Sequence, residues 1–467
     1  AAAWEKERKA WDFSASGAKS GIYKSTDAGN SWTLISTKES GFLQGKGVGR
    51  IGLASFDAKT IYAIVDNQDR RPQFDLSYNK LKKQDFEGIS LEAFMAIDKK
   101  LIKNFLEDNG FPKAYTVDRV RDEVRNGKLK PSDLALFLYN ANDDLFDTPV
   151  SGPQVFRSDD GGLTWSKTHT DFLDDVYYSY GYYFGMVHVS PVDKNHIYIY
   201  GVPILTSKDG GKSFKRLDTP NVHADHHALW INPKNPKHLL NGNDGGVNIS
   251  YDGGQNWSKA NQPSVGQFYT VYADTQKPYH VYGGLQDNGV WEAVHTTVES
   301  VRWHQSGHNP WTGIMGGDGM QIQVDSRNAN IVYTGYQFGN YFRIDRDAGE
   351  RKFIQPKHKL GEAPFRFNWQ TPILLSIHNN DIIYLGSNKL HRSLNQGDNW
   401  EAISKDLTKG AKKGNVPYGT LTAIDESRNS FGTIMVGSDD GIIHLTQNSG
   451  STWRRISDKL PQNLWVS

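Results

Sequence analysis

The densest group of chemically capable side chains in this 467-residue chain is His223-Ala-Asp225-His226-His227. Imidazole and carboxylate together suit Zn²⁺ or another transition metal. Along an extended strand His223, Asp225 and His227 share one face and His226 takes the other. A metal would then need a further ligand from a neighbour such as Asp244 or His308. No recognised zinc spacing is present. The expectation is instead that these groups hydrogen-bond one another and line a polar channel, with no resident metal and no cofactor. A second chemistry is open to Asp225, Asp244, Asp287 and Asp318. Glycoside hydrolysis needs an acid and a base or nucleophile roughly 5–10 Å apart, and these four come from neighbouring stretches of the chain. Trp291, Trp303, Trp311 and Trp369 could offer flat platforms for sugar rings, although aromatics are equally ordinary in a β core.

The elements that position these residues are legible from a recurrent eight-residue pattern, Ser-x-Asp-x-Gly-x-Thr-Trp with drift. It stands at Ser25–Trp32, Ser158–Trp165, Ser207–Phe214, Ser250–Trp257, Ser393–Trp400 and Thr446–Trp453. Each copy lies between two apolar, strand-like runs, as in GVNIS before and NWSKA after the fourth. Strand, Asp/Gly turn and strand make a β-hairpin. The Asp or Asn accepts backbone N–H bonds across the turn, and the glycines take positive φ. From Ser158 to Ser207, Ser207 to Ser250 and Ser393 to Thr446 the copies recur 43 to 53 residues apart, and the 143-residue gap from Ser250 to Ser393 leaves room for two repeats without the pattern. Those are FYTVYADTQKPYHVYGGLQDNGVWEAV and MQIQVDSRNANIVYTGYQFGNYFRI. Four short strands at this period predict one β-propeller blade per repeat, and about eight repeats are visible. The first begins mid-blade at Gly21, without its inner strands. Leu464–Ser467 resembles the opening of another inner strand, so the chain is expected to be an excerpt of a longer protein.

The six copies resemble the Asp-box, or bacterial neuraminidase repeat, of sialidases, xyloglucanases and sortilins. The stretch His223–Trp257 is similar to a narrower group, large secreted bacterial sortilin-like propellers often labelled glycosyl hydrolases. The resemblance implies an all-β propeller of four-stranded antiparallel blades and, from the sortilin side, peptide or protein ligands. It implies export as well, to the outside of the cell or the cell surface. A sialidase would need an arginine triad and a Tyr nucleophile. Arg302, Arg343 and Arg366 do not stand in the expected contexts, and the acidic motifs of xyloglucanases are not visible.

Between about Phe74 and Asp147 the β pattern stops. ISLEAFMAIDKKLIKNFLEDNGF has helical apolar spacing. TVDRVRDEVRNG and PSDLALFLYNAN read as two shorter helices, the second with Pro131 at its start. The expected organisation is therefore first blades over 1–73, a helical insertion within a blade over 74–147, and remaining blades over 148–467. The 53 basic residues against 52 acidic ones give no case for nucleic acid. The chain has no cysteine, so thiolate and disulfide chemistry are excluded. No run approaches the roughly 18 apolar residues of a membrane span, and no signal peptide is present in this chain.

In a four-stranded blade the start of the inner strand and the turn between strands two and three share one propeller face, and the Asp-boxes lie on the other. That rule places His223, Asp225, His226, Asp244, Gln286, Asp287, Asp318 and Trp369 together near the channel mouth. The resulting expectation is a secreted or cell-surface propeller that binds a protein, peptide or glycan through this face. The alternatives are a glycoside hydrolase acting on a polysaccharide, and a structural subunit of an envelope assembly docked by the helical insertion.

Overall fold

The computed structural model describes residues 1–71, 80–142, 150–260, 266–298, 300–301 and 310–467. Seven four-stranded antiparallel sheets follow one another along the chain, each an up-and-down meander in sequence order. They begin at Val48–Ser55, Met186–Val189, His226–Ile231, Phe268–Ala273, Gln323–Val324, Ile373–Leu375 and Leu421–Glu426, and are numbered here as the first to seventh blades. A three-stranded sheet precedes them, with Gly21–Lys24 between Ala2–Ala3 and Thr33–Leu34. Of the inner strands expected to be missing before Gly21, the second is thus represented by two residues, Ala2 and Ala3, paired with Ile22 and Gly21. A hairpin, Glu7–Lys9 with Asp12–Ser14, reaches the loop before the seventh blade. There Asn415 exchanges hydrogen bonds with the Phe13 backbone, at 2.9 and 2.8 Å.

The Asp-box turns show why the pattern recurs. In the third blade Asp252 Oδ1 accepts from the Gln255 and Asn256 N–H groups at 3.0 and 2.9 Å. The Ser250 hydroxyl donates to Asp252 and accepts from the Gly254 N–H. Gly253 and Gly254 sit at φ 79° and 88°, where a side chain would be strained. These carboxylates are satisfied as ions. Asp252 and Asp27 are held at about 2, by backbone and side-chain donors from Asn256 and Ser31 respectively. The ring that ends the box folds beneath the turn: Trp165 and Trp257 are buried, whereas Trp32 is half exposed.

Packing between consecutive sheets follows from strand alternation, which gives each blade two apolar faces. Ile22 of the N-terminal sheet meets Ala63, Val65 and Phe156 of the first blade. Ile64 and Val155 meet Ile197 and Ile199 of the second, and Tyr198 and Tyr200 meet Leu229 and Leu239 of the third.

Between Arg70 and Val150, which pair across the first blade, the chain makes α1 (Leu91–Ala96), α2 (Lys99–Asp108), α3 (Val117–Arg125) and α4 (Ser132–Phe137), with a 3₁₀ turn at Lys83–Phe86. The spacing predicts one helix across α1 and α2. The structure divides it because Asp98 leaves the helical conformation and caps α2, accepting from the Lys100 N–H at 2.6 Å. The helices enclose their own core of Phe86, Phe94, Ile102, Phe105, Val120 and Phe137. That core also takes in Leu360, from the connection between the fifth and sixth blades. Tyr115 Oη accepts the Leu360 N–H at 3.2 Å, and the Phe137 ring lies 5.6 Å from His358. Asn142 Oδ1 accepts from Gln337, in the turn between strands two and three of the fifth blade. A unit that leaves from the first blade therefore docks on the fifth and on the connection that leads into the sixth. No helix among the described residues is long and apolar enough to cross a membrane.

Candidate ligand-binding site at the channel face

The turn between strands two and three of the third blade carries Asp244, and the same turn of the fourth carries Gln286 and Asp287. Asp225 lies just before the first strand of the third blade, and Asp318 and Trp369 lie in the connections into the fifth and sixth. Blade geometry delivers them all to one face, and side-chain contacts join most of them. Trp369 Nε1 donates to Tyr269 Oη at 3.1 Å. Tyr269 Oη donates to Asp318 Oδ1 at 3.4 Å, and the same oxygen accepts the Asp287 N–H at 3.1 Å. The Asp287 and Asp244 carboxyl groups share a hydrogen bond. Asp244 Oδ1 stands 3.4 Å from His227 Nε2, and the His227 ring stacks on Phe184 with centroids 5.3 Å apart. The line runs from the sixth blade to the second.

Asp225 and Asp287 adopt φ of 58° and 60°, a left-handed conformation that aspartate tolerates better than most residues but at a cost. Backbone bonds hold Asp225 there: its N–H reaches Val202 O at 3.0 Å and its carbonyl accepts the Asp244 N–H at 3.2 Å. Its Oδ1 is buried with no hydrogen-bond partner. Gly245 allows this turn to close against His223, since a Cβ on it would lie 2.5 Å from the His223 Cβ.

The electrostatics separate the four carboxyl groups. Burial, with the Asp244 charge second, pushes Asp225 up to about 6. Burial and the charges of Asp318 and Asp244 push Asp287 to about 7. Asp318 is raised by burial, opposed by the Asp287 N–H and the Tyr269 hydroxyl. For Asp244 burial also favours the neutral form, but bonds from His227 and Asp287 outweigh it and its carboxyl is held below the ordinary range. His227 is raised in turn, first by its bond to Asp244. Below about pH 7 Asp287 thus holds a proton that Asp244 accepts, and Asp244 is the ionised member.

His226 does not join this group. It is fully buried, with Nδ1 2.7 Å from Asn241 Oδ1 inside the third blade; the pairing slips between His226 and Ala228, and His227 takes the outward place. His223 is half-buried with Nδ1 3.1 Å from Ala224 O. Gln286 contributes backbone, its N–H donating to Gln267 O and its carbonyl accepting from Asn288. His227, which the sequence places on one face with His223 and Asp225, joins the line; Tyr269 is the member that sequence reasoning did not single out, and the alternation of FYTVYA is the signal that points to it. Other polar residues of this face hold loops. Asp439 accepts from the Gly419 and Thr420 N–H groups, and Arg366 donates to Asp406 and to the carbonyls of Tyr418 and Gly419. Arg343 pairs with Asp398. Arg302, Trp303 and His308 lie outside the described residues. Among the described residues no group of three or more His, Asp or Glu is arranged to hold a metal ion. A cavity of about 340 Å³ lies elsewhere, at the opposite ends of the fourth and fifth blades. Its Asp274 and Asp325 are already paired, to Gln276 and Tyr282 and to Arg327.

The sequence pattern of the BNR/Asp-box repeat matches residues 156–167. The chain is an Asp-box β-propeller. Among solved structures it is similar to a GH74 enzyme from Niastella koreensis, at 11% identity and a TM-score of 0.27, covering 95% of this chain and 64% of that one. It is also similar to the GH74 xyloglucanase from Xanthomonas campestris, at 10% identity and a TM-score of 0.29, covering 96% and 54%. A third is YCF48 bound to D1 peptide, at 16% identity and a TM-score of 0.23, covering 66% and 88%. The chain thus spans less than two thirds of the length of the two GH74 proteins. No protein with a curated function matches it in sequence.

Proposed function

We propose that this Asp-box propeller is a secreted or cell-surface binding protein that recognises a protein, peptide or glycan through its channel face. The observation that supports it is the joined line of Trp369, Tyr269, Asp318, Asp287, Asp244 and His227. It sets an acidic, partly protonated patch beside aromatic rings, a combination that binds donors and cations. The Asp244 and Asp287 carboxyl groups touch, whereas a retaining glycosidase holds its pair about 5 Å apart and an inverting one further. The resemblance of His223–Trp257 to sortilin-like propellers favours a peptide or protein ligand and an extracellular setting.

A glycoside hydrolase is the second reading, and one observation favours it. Asp287 is held protonated to about 7 beside an ionised Asp244, the division of labour that acid/base catalysis uses. A panel of polysaccharides tested with the wild type and with Asp225→Asn, Asp244→Asn, Asp287→Asn and Asp318→Asn separates the readings. The binding reading expects no turnover, and ligand capture that weakens in these variants. Turnover by the wild type that vanishes in two of the four would replace it with the hydrolase.

A further inference from the structure

Eight consecutive sheets make seven seams, and among the described residues apolar clusters fill six of them. The seam between the third and fourth blades differs. Alternation fixes which side chains face it. Leu229 packs toward the second blade, so Ala228 and Trp230 turn toward the fourth. Trp230 pairs with Leu240, and Gly242 with both Ala228 and Val247, which brings Leu240 and Val247 to the same side. In the fourth blade Tyr282 and its partner Tyr272 face the fifth, so Val271 faces the third. Phe268 lies over Gly283, where a Cβ would stand 2.2 Å from its ring. The other six seams are filled by buried apolar clusters, yet here Trp230 is 46% exposed, Val247 41%, Phe268 44% and Val271 65%. A strip of large apolar side chains left open in one place marks a surface that binds. The hydrogen bonds across the seam among the described residues lie at its channel end, from Asn288 Nδ2 to Asp244 O at 3.3 Å and between the Asp244 and Asp287 carboxyl groups.

We propose that this seam is a groove for an extended peptide in which a Lys or Arg is followed by apolar residues at alternate positions. The inference rests on the channel-face binding proposed above and gives that ligand its chemistry. Charge decides the basic residue: Asp225, Asp244, Asp287 and Asp318 face His223, His227 and the Tyr269 hydroxyl, with Tyr180 within range of their charge, and among the described residues no Lys or Arg bonds to any of the four. An incoming cation would take the place of the proton shared by Asp244 and Asp287. Val247 and Val271, two of the four exposed side chains, favour a peptide for the apolar part, since branched side chains pack against peptide side chains and give a sugar ring no flat platform. An extended chain shows every second side chain to one wall, as the two facing blades require.

Peptides of random sequence displayed on phage, selected on the full chain, test this. The variants are Val271→Glu, Val247→Ser, Trp230→Ala and the double Asp244→Asn/Asp287→Asn, with Val192→Glu, 62% exposed on the second blade, as control. Val271 and Val247 are already exposed, so folding tolerates their replacement, which circular dichroism verifies. Enriched peptides should join a basic residue to alternating apolar ones. Their affinity should fall by roughly tenfold or more in Val271→Glu, in Val247→Ser and in the double Asn variant, and hold in the control. Peptides lost in the double variant but held by both valine variants would overturn the groove and leave the channel-face reading standing. No enrichment, or enrichment without a basic residue, overturns the inference. So does a glycan, captured from an array, whose binding depends on Trp230.

Discussion

Replacement of Trp257 by alanine tests the physical role of the Asp-box with a control built into the same chain. The Trp257 ring is 6% exposed and packs with Tyr198, Tyr200, Leu217, Leu229 and Leu239 between the second and third blades. Its Nε1 donates to Leu217 O at 3.0 Å. Burying an aromatic of this size removes about 200 Å² from water, worth about 5 kcal/mol at 25 cal/mol/Å² as an upper bound. The lost hydrogen bond leaves a buried carbonyl short of a donor, about 1 kcal/mol more. Measured large-to-small replacements of Trp cluster at about 3–5 kcal/mol, so about 4 kcal/mol is expected. Trp32 holds the same place in the first Asp-box, but its Nε1 bonds within its own turn, to Gly29 O at 3.1 Å, and the residue is 51% exposed. Trp32→Ala should cost about 1–2 kcal/mol. Urea unfolding followed by far-UV circular dichroism avoids confusion with the lost fluorophore. Equal midpoint shifts for the two variants would refute the argument, because the motif and not the seam would then set the cost.

Two further outcomes are expected. Asp66 is fully buried in the first blade, and among the described residues its two oxygens accept only from Gln68 Nε2, both at 2.8 Å; burial raises it from an ordinary 3.8 to about 7. The folded state then holds a proton that the unfolded chain has released, so stability falls as pH rises from about 4 to about 7, by up to about 4 kcal/mol from this group. Denaturation across that range should show a slope that Asp66→Asn flattens, and an unchanged slope in the variant would rule this out. Leu360→Asp should undock the helical unit, by about 2–4 kcal/mol from lost packing and a buried charge. Hydrogen exchange should quicken in α1 to α4 while the first blade stays protected, and uniform protection would count against the docking.

What the sequence reveals here is what is local. The Asp-box turn is closed by groups two to four residues apart, so its spacing alone predicts both geometry and repeat. The common face of Asp244, Asp287 and Asp318 follows from blade direction, which needs no coordinates. The inward turn of His226 does not, because it depends on a slip in pairing after that residue, and the pattern HADHHALW fits either register. The left-handed backbone of Asp225 and Asp287 is likewise invisible in residue type. The break at Asp98 shows propensity yielding to a cap. The open seam is the least legible feature. The third and fourth blades carry the same alternation as the rest, and nothing in ALWIN or FYTVY distinguishes a face that is covered from one that is not.

The helical insertion also bears on how the chain acquires its structure during synthesis. Ile61–Arg70 cannot meet Val150–Ser158 until about 80 intervening residues have been made, which at 5–20 residues per second is a wait of about 4–16 s. The Ile61–Arg70 strand can pair at once with Val48–Ser55, but its other edge stays open for this time, and an open ten-residue edge is an aggregation hazard. The insertion has nearly all of its core within residues 86–137, so its helices can condense before the blade does. Collapse of that unit draws its two ends together and shortens the loop the strands must close, which lowers the entropic cost of pairing. The order of events is then helices first, first blade second, and contact with Leu360 only after more than 200 further residues have been added. The docking is a late step, and it becomes available only once the fifth blade and the connection that follows it have been made.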